Sequence, residues 1–303
     1  MEPLPPLPFA DWEPTKVTLH LWAQIVGKVK MASVPPKNQW WHVPLYLDVR
    51  GLTTRPMHAQ DGTGFEIRFD FVDHRLVVET ASAAESFALE NGLTVAAFDE
   101  QLHANLRGLG VDVTIVETPF GLPVTTPFTQ DAGHASYDPR AVERFWRVLD
   151  WSGTVLDEFA GWFCGKQSPV HLFWHGLDLA LTRFSGRQAP PMPDADAVTK
   201  EAYSQEVVSF GFWAGDQNVR EPTYYSYAAP EPAGLSDRPL ASGGAWIEYG
   251  AGSLAALPYE AVRTAADPHA ALLEFLESAY QAGAEAAGWD TAALASSWCP
   301  LPA

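Results

Sequence analysis

Ser168-Pro-Val-His171-Leu-Phe173-Trp174-His175-Gly176-Leu-Asp178-Leu-Ala-Leu-Thr182-Arg183 admits two folded readings, and the choice between them sets the fold class. As a helix it puts His171, His175, Asp178 and Thr182 on one face, at i, i+4, i+7 and i+11. As a hairpin turning at His175-Gly176 it pairs residue 171 with 180 and 173 with 178. One face then carries His171, Phe173, Asp178 and Thr182, and the other Leu172, Trp174, Leu177, Leu179 and Leu181. An X-Gly step between alternating runs favours the hairpin. Either reading brings His171, Asp178 and Thr182 together.

Outward from this stretch, alternation and caps predict an α+β fold of antiparallel sheets flanked by helices. Phe65, Ile67, Phe69 and Phe71 alternate with Glu66, Arg68 and Asp70, and Asp73-His74 turns the chain into a partner strand, Arg75 to Thr80. His42 to Arg50 also alternates, and Val170–Phe184, Glu201–Trp213 and Thr223–Tyr227 are rich in strand-forming residues. Val111 to Glu117 reads as a further strand, and Thr118 to Asp138 as loop. Pro3 to Pro14 reads as an extended arm. Thr15 to about Met31 reads as a helix with Trp22, Ile25, Val26 and Val29 on one stripe and His20, Gln24 and Lys28 on another. Thr94 to Leu109 is helical up to Gly110. Asp138-Pro139 and Asp267-Pro268 each start a helix, the first burying Phe145, Leu149 and Phe159, the second Leu272, Phe275 and Tyr280.

The element order reads as one unit, 1–303, built from two similar halves, 15–117 and 139–287. Gly27-Lys28 and Gly165-Lys166 each precede a His-led strand, although glycine's habit of ending helices accounts for that coincidence equally well.

The chain has 303 residues, 47% hydrophobic and 18% charged, which is a globular composition. Its 12 Trp, 9 Tyr and 16 Phe call for burial or for a ligand to face. A net charge of -18 argues against nucleic acid or an anionic membrane as partner, since both demand clustered Lys and Arg. No apolar run approaches the ~18 residues of a membrane span. The start, Met1-Glu2-Pro3, does not read as a secretory signal. With only Cys164 and Cys299, a disulfide framework is not expected and a cytoplasmic location is.

The chemistry centres on His171 as a general base oriented by Asp178, with His42 and Glu206 from neighbouring strands. Arg183 or Arg50 would anchor an anionic group of a small-molecule substrate, with Thr182, Tyr203 and Trp174 completing its binding. A satisfied polar pair on a half-buried sheet is the plainer account of His171 and Asp178. Glu201-Ala-Tyr203-Ser204-Gln205-Glu206 is a second polar concentration, and Tyr224, Tyr225 and Tyr227 either line a cavity or cover the sheet. The loops Gln188–Pro193 and Pro230–Gly244 are candidates to close over the site. His171 and His175 have half of a zinc-protease spacing, but Leu172 stands where that signature needs Glu. His42, His171, His175, Glu201 and Glu206 have no compact ligand spacing, so neither metal nor other cofactor is expected. There is no GxGxxG, P-loop or GxSxG. Cys164 reads as a packed small hydrophobe. An acid–base hydrolase or lyase is thus the leading expectation, a non-catalytic small-molecule binder or scaffold the alternative, and metal-assisted chemistry a third.

His20-Leu-Trp-Ala-Gln24-Ile-Val-Gly-Lys28, Trp41-His-Val-Pro-Leu45, Phe69-Asp-Phe-Val-Asp-His-Arg75, Thr182-Arg-Phe-Ser-Gly-Arg187 and Glu201-Ala-Tyr-Ser204 carry a resemblance. Over nearly its whole length the chain resembles a bacterial family of uncharacterised proteins, domain of unknown function family 5996. The resemblance implies a single unit with no established cofactor. It also implies that His175 is peculiar to this chain and that Gln205 replaces a histidine.

Overall fold

The computed structural model describes residues 4–250 and 252–297, so Cys299 lies outside the described residues. The first helix, α1 (Phe9–Ser33), starts earlier than the proline-rich arm suggested and runs through Pro14. Phe9 and Trp12 are 3% and 1% exposed. Burying two such rings stabilises by roughly 2–3 kcal/mol each, enough to offset the ~3 kcal/mol an interior proline costs.

Six short strands follow: β1 (Tyr46–Asp48), β2 (Gly51–Thr53), β3 (Met57–His58), β4 (Gly64–Asp70), β5 (Arg75–Thr80) and β6 (Ala84–Ala88). They form one antiparallel sheet in the order β1-β2-β4-β5-β6, with β3 also paired to β4. The β4–β5 hairpin has Phe69 opposite Leu76, which sends its alternating apolar set into the core. His42–Arg50 is less regular than its alternation implied. Only Tyr46–Asp48 pairs as strand, and Val49 is 86% exposed at the turn into β2. Helix α2 (Val95–Gly108) is capped by Thr94 and covers this sheet, with Phe98 stacked on Trp22 of α1 at 5.0 Å. Val111–Glu117 forms no strand; Val111 is buried but Val116 is exposed, and its alternation meets no neighbouring edge.

Helix α3 (Pro139–Ala160) starts at its Asp138 cap, as the Asp-Pro pair predicts. Then come β7 (His171–Phe173), β8 (Asp178–Gln188), the short helix α4 (Ala197–Ala202), β9 (Gln205–Trp213), β10 (Thr223–Ala229), β11 (Ala245–Tyr249) and β12 (Gly252–Pro258). These strands build a second antiparallel sheet, ordered β11-β12-β10-β9-β8-β7. The hairpin reading of the opening stretch holds: His171 faces Ala180 and Phe173 faces Asp178. Leu177, at φ +52°, takes the left-handed position of the turn, and Gly176 before it lacks the side chain that would overlap the Asp178 carboxyl. Glu201 belongs to α4, ahead of the strand predicted to contain it.

Helices α5 (Tyr259–Arg263), α6 (Pro268–Ala286) and α7 (Thr291–Leu294) complete the chain. One face of the second sheet packs on α3 and α6, where Leu172, Leu179, Leu181, Phe210 and Phe212 are buried. The two sheets meet where Leu45 and Leu172 exchange backbone hydrogen bonds of 2.9 and 2.8 Å. A single apolar cluster runs through both. No helix among the described residues is long and apolar enough to cross a membrane.

Candidate functional site

The other face of the second sheet carries the polar groups, and its register arranges them in rows. Thr182, Ser209 and Tyr227 sit directly opposite one another across β8, β9 and β10. Thr182 Oγ1 and Ser209 Oγ are 2.9 Å apart, and the Tyr227 hydroxyl is 3.0 Å from that of Tyr203. In the adjacent row Ala180, Gly211 and Tyr225 align. A side chain at Gly211 would overlap the Tyr225 ring and hydroxyl. Glycine there lets Tyr225 lie across β9 and donate a 2.5 Å hydrogen bond to Asp178 Oδ2. The missing side chain at Gly211 thus makes room for the polar pair.

Helix α1 walls this face from above. Lys16, His20, Gln24 and Lys28 recur every four residues, so they lie along one side of the helix. His20 Nε2 contacts the His175 carbonyl at 3.0 Å, and Gln24 holds the Phe120 backbone through two 2.8 Å bonds. At Gly27 the helix touches the Trp174 indole, whose Nε1 donates to the Val43 carbonyl. The turn Asn38–Trp40 closes one end, with Gln39 and Trp40 both at positive φ (51° and 61°). Glu201 accepts from Gln39 N at 2.9 Å, Trp40 Nε1 donates to the Val198 carbonyl, and Lys166 bridges Gln39 and Gln205. Such a strained turn persists only when its surroundings over-determine it, and it does so here at the mouth of a cavity.

Two cavities result. The first, about 500 Å³, is lined by Lys28, Trp40, Trp41, Phe120, Phe173 and Trp174 among others. The second, about 480 Å³, has Lys16, His20, Asp216, Trp213 and Tyr249 in its walls. His175, Asp178, Tyr203, Tyr225 and Tyr227 border both, so they form the partition.

Of the residues singled out from sequence, Asp178, Thr182, Tyr203 and Trp174 line the first cavity. His171 shares their sheet face but sits at the seam between sheets, fully buried against Tyr46 and Phe173, with neither ring nitrogen hydrogen-bonded. His42 is buried beside the first cavity, stacked on Trp40 and accepting from Lys37 N. Glu206 pairs with Arg187 at 2.7 Å. Arg183 lies on the opposite face, enclosed by the rings of Phe159, Phe163 and Tyr280 and donating to the Phe159 carbonyl. Arg50 pairs with Asp70 and Asp73 on the first sheet. None of these five side chains is brought to Asp178, so the expected His171–Asp178 pair does not form; the side chain bonded to Asp178 is Tyr225. The Tyr225–Asp178 contact went unread because it depends on Gly211, whose position inside a strand is the signal that could have revealed it.

The family described as "Family of unknown function (DUF5996)" matches residues 4–296. The chain belongs to this family. No curated protein and no solved structure matches it.

The electrostatics single out the partition. Burial raises the pKa of Asp178, while nearby His175 and the Tyr225 hydrogen bond pull it back. Burial lowers that of His175, which Asp178 partly opposes. Tyr225 and Tyr227 are held well above the ordinary tyrosine range by burial, so both hydroxyls remain donors at neutral pH. His20 is driven down to about 3 by burial and stays neutral. Among the described residues no three His, Cys, Asp or Glu side chains cluster to hold a metal ion. The arrangement can therefore exchange a proton through Asp178 and donate hydrogen bonds to a developing oxyanion through tyrosine hydroxyls.

Proposed function

We propose that this protein is an enzyme acting on a small, largely aromatic or apolar molecule, with Asp178 as the general acid–base. The observation that carries the reading is the carboxyl of Asp178 at the wall common to both cavities, oriented by Tyr225 at 2.5 Å and raised in pKa by burial. A raised carboxyl is what proton transfer near neutrality requires. Tyr203 and Tyr227 supply hydroxyl donors, Thr182 and Ser209 extend that network, and Trp174 with Trp40 and Trp41 provides the faces on which a flat substrate packs. The net charge of -18 supports a small molecule over nucleic acid as the partner, and the scarcity of cysteine supports a cytoplasmic location.

A panel of aromatic esters, amides and 2-hydroxy acids tests this, with turnover followed by mass spectrometry and binding by tryptophan fluorescence. Asp178→Asn is expected to lower turnover by at least ~100-fold while binding persists. Turnover unchanged in that variant would remove Asp178 from the chemistry. Binding without any Asp178-dependent turnover across the panel would favour a non-catalytic binding protein.

A further inference from the structure

Lys28 projects from α1 into the wall of the aromatic cavity, and the residue as a whole is 5% exposed. Among the described residues it makes no hydrogen bond and no ion pair, and its Nζ lies 5.9 Å from the centre of the Phe128 ring. Other buried or half-buried lysines are provided for. Lys30 donates to the Pro44 carbonyl at 2.5 Å, and Lys166 donates to Gln39 and Gln205. Lys16 has Asp216, Glu13 and Asp178 close enough to favour its charge. For Lys28, desolvation acts alone and no carboxylate offsets it. An ammonium partly withdrawn from water without a counter-charge is costly, and pairing it recovers part of that cost.

The cavity lining bears no other lysine or arginine, and its two acids are otherwise engaged. Asp196 caps α4 through Val198 N and Thr199 N, and Asp178 is bound by Tyr225. A phosphate dianion would call for several converging donors, whereas one lysine suits a single charge. We propose that the first cavity takes an aromatic monocarboxylate whose carboxylate pairs with Lys28 while its ring packs among Trp40, Trp41, Phe173 and Trp174. This rests on the reading of the cavity as the ligand site and adds the ligand's chemical class to it.

The test compares naphthalene-2-carboxylate with its neutral counterpart 2-naphthalenemethanol, by calorimetric titration of the full chain at pH 7. The carboxylate is expected to bind at least ~10-fold more tightly. Lys28→Met should erase that preference, and Lys28→Arg should keep most of it. If Lys28→Met does not fold, the wild-type preference must still fade as pH rises through the titration of the amine, which burial brings below the usual lysine range. Equal affinity for both compounds, failure of both to bind, or a preference untouched by Lys28→Met would overturn the proposal. The naphthalene pair reports binding alone and the ester and amide panel reports turnover, so a failure of the acid–base reading is told apart from a failure of this one.

Discussion

Asp178 shows how the burial of a single carboxyl makes stability depend on pH. Its pKa is raised in the folded state, so the folded protein holds its proton to higher pH than the unfolded chain does. Stability from this group is fully present below the unfolded value near 3.8 and is lost as pH climbs through the folded value. Once ionised in the folded protein the carboxylate is a liability, partly relieved by His175 and Tyr225. Asp178→Asn removes the charge but keeps the shape. It is expected to leave stability little changed near pH 4 and to raise it at pH 7, as read from urea unfolding at the two pH values. A variant less stable than wild type at pH 7 would mean that the carboxylate is structurally required. Tyr225→Phe should act oppositely on the group itself, pushing its pKa higher by deleting a hydrogen bond that now lowers it, which carboxyl-carbon NMR would register.

At the scale of elements, α1 is the piece on which the site depends. Its close approach to Trp174 is possible only because residue 27 lacks a side chain. Gly27→Ala should gain about 1 kcal/mol in helix propensity. Overpacking a core contact typically costs about 1–3 kcal/mol, so the net effect is expected to be destabilising, with the Trp174 indole displaced. Urea denaturation and a red-shifted tryptophan emission would check it; a stabilised variant with unchanged emission would show that Trp174 yields freely. Much of this element's role was legible in the spacing of His20, Gln24 and Lys28, which declares a polar face on an otherwise apolar helix. The hairpins at 65–80 and 171–183 were equally legible, since period-two alternation and a turn fix both faces. The Asp178–Tyr225 pair was not, because it spans three strands and needs the β8–β9–β10 register. For Arg183 the opposite face follows from its odd place in β8, but its cation–aromatic enclosure was not legible, because it comes from α3 and α6, remote in sequence.

For the molecule as a whole, the seam between the sheets matters most. Leu45 and Leu172 join them there, and next to them His171 is sealed in, with both nitrogens unpartnered and Lys30 and Arg55 near enough to disfavour its protonation. Burial and those cations drive its pKa down to about 3, against 6.5 for an exposed histidine. The unfolded chain thus binds a proton that the folded chain refuses. Stability from this group is complete above pH 6.5 and is lost as pH falls towards 3, at about 1.4 kcal/mol per pH unit. His20, with the same low value, adds a second such slope over the same window. Because the seam belongs to both sheets and one apolar cluster runs through them, proton uptake there should release both together. Acid unfolding is then expected as one transition, coincident by far-ultraviolet circular dichroism and tryptophan fluorescence. His171→Phe replaces the ring by an apolar one of similar shape between Tyr46 and Phe173. Between pH 6 and pH 4 its unfolding free energy should fall less steeply than that of wild type by about 1.4 kcal/mol per pH unit, the share of one proton. An unchanged slope would mean that His171 is protonated in the folded state and that a charge is tolerated at the seam.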